Sequence, residues 1–170
     1  MSVHKTSLVC LVLSLASLAS VAGCQSQATP YKSKLDPLAL QAMQTQEFET
    51  SKAVLFAATV SVFQDTGFII EAGDFATGII TAKSPTATTP FSFATYGSSV
   101  TTRASAFVET SRPGYARVRL NFVDAKVNNI TLYSTGPSVD VPNETPEYYE
   151  GIFTKIREAV FVRQALETPS

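Results

Sequence analysis

Histidine is nearly missing from this 170-residue chain: there is one, His4, and it lies in an N-terminal segment expected to be removed. A mature chain without histidine has no Ser-His or Cys-His dyad and lacks the commonest zinc ligand. Cysteine is almost as scarce. Cys10 falls in the same segment and only Cys24 follows it, so no internal disulfide is expected and stability must come from the core. An excess of charge of one sign is also missing. Without Lys5, the 13 basic residues become 12 against 14 acidic ones, a formal balance of −2. A nucleic-acid partner usually requires a basic stripe, so none is expected. The one apolar run, Leu8 to Ala19, is well short of the roughly 20 residues that cross a hydrocarbon core.

What is present at the N-terminus has the layout of an export signal. His4 and Lys5 form a weakly basic start, the apolar run follows, and small residues lead into Val21-Ala22-Gly23-Cys24. That tetrapeptide resembles the lipobox of bacterial lipoproteins, in which a peptidase cuts before a cysteine already carrying a diacylglycerol. The resemblance implies lipidation at Cys24 and peptidase recognition through Val21, Ala22 and Gly23. The other reading is an ordinary signal in which Cys24 is incidental. Gln25, rather than an aspartate, points to the outer membrane with the domain facing the periplasm. The expected organisation is a cleaved signal over 1–23, a lipidated and flexible tether over 24–37, and one domain over 38–167. Residues 25–37 are polar, carry two prolines and show no hydrophobic period, which suits a tether.

Within the domain, residues 43–49 are expected as a short strand, although Leu40, Ala42 and Met43 also suit a helical turn. From Thr50 or Ser51 a helix should run to Thr66. Leu55, Ala58, Thr59, Val62 and Phe63 share one of its faces, and Gly67 closes it. Phe68–Ala72 and Gly78–Lys83 read as a hairpin turned by Asp74, with a long loop after Ser84. Val100–Val108 alternates with period two and pairs across Arg112-Pro113-Gly114 with a strand holding Val118, Leu120 and Phe122. Residues 124–143 read mainly as loop, with an edge strand near 130–133. Thr145-Pro146 then starts a final helix that aligns Tyr149, Ile152, Phe153, Ile156 and Val160. The expected fold class is α+β. It has a single antiparallel sheet of about four to five strands with two helices packed on one face, in the order (β)-α-β-β-β-β-α.

Met43 to Glu49 with Phe63-Gln64-Asp65-Thr66-Gly67-Phe68, then Asp74 through Gly78-Ile79-Ile80, resembles a family of small uncharacterised Gram-negative lipoproteins. The ending Pro146-Glu147-Tyr148-Tyr149, Phe153 to Ile156 and Val160-Phe161 is similar to that family's ending. The step from Gln64 to Phe68 also resembles the helix-grip modules of a lipoprotein component of the barrel-assembly machine. The resemblance implies a non-enzymatic fold in the cell envelope and transfers no catalytic residue. Family members often carry arginine near the start of the domain; Gln41 and Gln46 stand there in this chain.

Few residues are candidates for chemistry. Asp65, Glu71 and Asp74 are close in sequence and could form an acid and base pair, but capping and solvation account for them more simply. Arg103, Arg117 and Arg119 should share the outward face of the second hairpin. That is either a patch for an acidic partner or headgroup, or a solvated sheet face. Tyr148, Tyr149 and Phe153 either line a groove under the last helix or belong to the core. No catalytic residue, metal or cofactor is expected. The leading function is an envelope lipoprotein that is not an enzyme and binds another envelope protein. The alternative is a lipid or small-hydrophobe module with a cavity between the sheet and the C-terminal helix.

Overall fold

The computed structural model describes residues 31, 33–90, 96–130, 133 and 136–167. The expected signal, the lipobox residues Val21, Ala22, Gly23 and Cys24, and most of the tether lie outside the described residues.

Among the described residues ten elements follow in order: α1 (Pro37–Gln44), β1 (Thr45–Phe48), α2 (Lys52–Asp65), β2 (Ile69–Asp74), β3 (Ile79–Lys83), β4 (Ala87–Thr89), β5 (Gly97–Arg112), β6 (Tyr115–Ile130), β7 (Ser138–Pro142) and α3 (Pro146–Glu167). The fold is α+β with one antiparallel sheet. Its main path is β1-β6-β5-β3-β2, with β4 on β5 and β7 on β6.

Two expectations are corrected. The sheet has seven strands instead of four to five, and three helices occur among the described residues instead of two. The missed helix is α1. Asp36 caps it by accepting a hydrogen bond from the Leu38 amide at 3.0 Å, and Pro37 occupies the first turn, where its missing donor costs nothing. The strand expected over 43–49 shrinks to β1. The extra strands come from the length of the central hairpin, since β5 and β6 have 16 residues each. At about 3.3 Å per residue each spans roughly 50 Å, enough to run past the helices. Beyond Phe122 both sheet faces are partly exposed, so the hydrophobic alternation that reveals a strand fades. There β4 and β7, short and mostly exposed, pair at the margins where the expected loops lie.

The core lies on one face. Ala104, Ala106 and Val108 of β5 and Ala116, Val118, Leu120 and Phe122 of β6 turn inward. They meet Leu55, Ala58, Val62 and Phe63 of α2 and Tyr149, Ile152, Ile156 and Val160 of α3. The alanines of β5 and β6 let the helix layer approach closely. Large residues such as Phe63, Phe122 and Leu120 each supply about 2–3 kcal/mol by leaving water. Thr59 is buried among them and donates its hydroxyl to the Leu55 carbonyl at 2.8 Å, so its hydroxyl is not stranded. Among the described residues, every buried one falls between Gln44 and Val160.

Helix α2 ends as its sequence suggests. Gly67 takes φ +87, the Phe68 amide reaches the Phe63 carbonyl at 2.8 Å and the Gly67 amide reaches Gln64 at 2.9 Å. This is the paired closure of a Schellman end, and the Phe63 and Phe68 rings, 5.7 Å apart, supply its hydrophobic contact.

Candidate functional site

With even-numbered positions of β5 and β6 facing the helices, the odd-numbered ones form an outer face that neither α2 nor α3 covers. Arg103, Ser105, Phe107 and Glu109 come from β5, and Arg117, Arg119 and Asn121 from β6. The register sets Phe107 opposite Arg119 and Ile79 opposite Phe107, so two exposed apolar side chains sit beside a guanidinium.

Arg103, Arg117 and Arg119 do stand on this one face, but they do not form a free basic patch. Arg117 is paired with Glu109 directly across the ladder, and Arg103 with Asp140 of β7. Near the hairpin turn Arg112 is held by Glu47 at 2.8 Å and lies 3.8 Å over the Tyr115 ring. Exposed pairs of this kind add about 0–1 kcal/mol each, so their main effect is to neutralise the face. Arg119 differs. Among the described residues no carboxylate pairs with it; its Nη2 donates instead to the Gln44 Oε1 at 3.2 Å.

Gln44 ends α1 and is almost completely buried. Its amide nitrogen also lies 3.5 Å from both the Asn121 Oδ1 and the Tyr149 Oη. This network fixes the corner where α1 meets the sheet. Beside it a depression of about 490 Å³ opens on the outer face, lined by Leu40, Ile79, Phe107, Asn121 and Pro142 among others. Arg119 is its one charged lining residue among those described.

The aromatic candidates lie elsewhere. Tyr149 is fully buried, Phe153 nearly so and Tyr148 half-buried, and the rings of Tyr148 and Tyr149 both pack edge-on against Phe122. Together with Ile156 and Val160 they fill the space between sheet and α3. Burial raises the Tyr149 phenol pKa, an effect partly offset by hydrogen bonds from Gln44 and the Phe122 amide. Burial also raises that of Tyr148. Phe153 reaches a groove of about 390 Å³ between α1 and the first turns of α3.

The carboxylates serve separate local purposes. Asp74 accepts hydrogen bonds from the Thr77 hydroxyl at 2.8 Å and the Ala76 amide at 2.9 Å, which hold its carboxyl below the ordinary aspartate value. Glu71 pairs with Lys83 at 2.7 Å. Asp65 borders a cleft of about 570 Å³ between α2 and α3 that also contains Lys155, Glu158 and Arg163. No cluster of metal-ligating side chains occurs among the described residues, and no helix there is long and apolar enough to cross a membrane.

Sequence reasoning missed Leu40 and Gln44, whose placement depends on α1. It also passed over Phe107, for which a signal exists. Phe107 is a large aromatic on the polar phase of a period-two strand, in step with Arg103.

Comparison with protein-family models returns no match, and neither does comparison with curated proteins. Among solved structures the chain is similar to a DUF4468 family protein from Bacteroides ovatus ATCC 8483. The TM-score is 0.39 and the sequence identity 12%, covering 68% of this chain and 84% of that one.

Proposed function

We propose that the protein is a non-enzymatic envelope lipoprotein, anchored through Cys24 to the periplasmic face of the outer membrane, whose domain binds another envelope protein. The observation that carries the reading is the one-sided core. Both long helices serve one face of the sheet, while the other exposes Ile79 and Phe107 side by side, beside Arg119 and within a rim where Arg103 and Arg117 are paired with Asp140 and Glu109. An apolar centre with a polar rim is the usual anatomy of a protein interface. The lipobox-like tetrapeptide and the helix-grip resemblance support the envelope setting, and the scattered carboxylates and the lack of histidine after His4 support a role other than catalysis.

Site-specific photocrosslinking in intact cells tests this. A crosslinker at Phe107 should trap one discrete partner, whereas one at Glu158 on α3 should not. Failure to trap any discrete partner from Phe107, or the same products from both sites, would count against the reading.

A further inference from the structure

We infer that the depression around Arg119 is a binding site for an alkyl carboxylate, a single carboxylate head carried on an apolar chain. The inference goes beyond the proposed partner binding and depends neither on the anchor nor on the partner.

The charge pattern of the outer face is the starting point. Arg103 and Arg117 each hold a carboxylate of this chain, and so does Arg112 at the hairpin turn. Arg119 spends one donor on the Gln44 amide oxygen and has no anionic partner among the described residues. A guanidinium has five donors in a planar fork that matches a carboxylate in two parallel hydrogen bonds. Gln44 is itself nearly fully buried and bonded to Asn121 and Tyr149, so it holds the guanidinium without neutralising it. The fork is therefore oriented before any ligand arrives.

The surroundings define the rest of the ligand. Leu40, Ile79, Phe107 and Pro142 supply apolar lining to the same depression, and Ser105 and Asn121 add polar groups. A concave, largely apolar site of a few hundred Å³ with few convergent polar groups is the common form of a small-molecule site. A single surplus positive charge suits a monoanion better than a phosphate monoester, because the neighbouring arginines are already committed. The apolar lining then favours a tail over a small hydrophilic acid.

The test uses the mature chain, residues 24–170 with Cys24→Ser, and dodecanoate below its micellar concentration. This chain retains every buried residue among those described. Calorimetry should show saturable one-to-one binding. Amide NMR shifts should change around Leu40, Ile79, Phe107 and Arg119. Arg119→Gln should weaken binding at least tenfold, Arg119→Lys should retain part of it, and Arg117→Gln should leave it unchanged. Dodecanol, with the same tail and no charge, should bind at least tenfold more weakly. Should Arg119→Gln disturb the fold, Phe107→Ser carries the same test from an exposed position outside the core. Absence of dodecanoate binding, equal binding of dodecanol, or shift changes confined to the cleft between α2 and α3 would overturn the inference.

Discussion

The Tyr149 hydroxyl lies 3.4 Å from the Phe122 backbone nitrogen, where a side chain of α3 takes the place of a missing strand. Along this edge of β6, β1 pairs with residues 116–119 and β7 with residues 123–127. Phe122 falls in the gap between them. Tyr149 receives its amide, and the Asn143 amide donates to its carbonyl at 2.8 Å. The Tyr149 hydroxyl in turn donates to the Asn143 carbonyl at 3.1 Å, which closes the arrangement. A buried backbone group left without a partner would cost about 1–3 kcal/mol, which gives the phenol a structural reason to be there.

Tyr149→Phe should therefore destabilise the domain by about 1–3 kcal/mol while leaving its packing intact. Urea denaturation followed by circular dichroism measures this. A variant as stable as the wild type would mean that the Phe122 amide finds another partner.

Alkaline pH probes the same residue. Burial raises the Tyr149 and Tyr148 phenol pKa values above the ordinary 10.0, so the folded state favours the neutral phenol. That contribution to stability is fully present below pH 10 and is lost as pH rises through the raised folded values. The urea midpoint should fall above pH 10, and the fall should be shallower in Tyr149→Phe.

Two glycines with the same backbone sign should respond differently to alanine. Gly114 has φ +80 with nothing within 4 Å of an added Cβ, so Gly114→Ala should cost only the conformational strain, about 1–2 kcal/mol. Gly78 has φ +81, but an added Cβ would meet the Val108 carbonyl oxygen at 2.0 Å, where β3 meets β5. Gly78→Ala should lose roughly 3–5 kcal/mol, strain and backbone displacement together. Denaturation midpoints of the two variants compare them directly.

Asp74 makes the turn between β2 and β3 sensitive to acid. Hydrogen bonds from Thr77 and the Ala76 amide lower its folded pKa below 3.8, with Lys52 adding a smaller attraction. The stability it contributes is present above the unfolded value and is lost as pH falls through the lowered folded one. Asp74→Ala should be less stable than the wild type at neutral pH, and the difference should shrink below about pH 4. A difference independent of pH would assign the effect to turn geometry instead of charge.

The proposed lipid anchor has its own test, distinct from that of the proposed ligand site. Metabolic labelling with a fatty acid should mark the wild type, and both label and membrane association should disappear in Cys24→Ala. Label retained in the variant would remove Cys24 from the proposal.

Much of the helical layer was legible because its signals are local. Ser51 accepts from the Val54 amide at 3.2 Å, as its position before an apolar helix suggests, and Gly67 and Gly78 take the positive φ that their places require. Phe107 shows the limit of such reading. Its outward phase follows from strand periodicity, but its neighbours Ile79 and Arg119 follow only from the register of three strands. The length of β5 and β6 was hidden because period-two contrast weakens where both faces meet water.

Composition and local pattern alone determined that this chain has one helix-covered antiparallel sheet and no histidine-based chemistry after residue 4. Those properties depend on residue types and on contacts within a few positions. Only the tertiary structure decided how far the sheet extends, how β6 is completed at Phe122, and which arginine of the outer face has no carboxylate partner among the described residues. Gln44 and Arg119 are 75 positions apart, and Gln44 and Tyr149 are 105 apart. Their meeting depends on the packing of α1 and α3 around one edge of the sheet, a long-range outcome that no local period encodes.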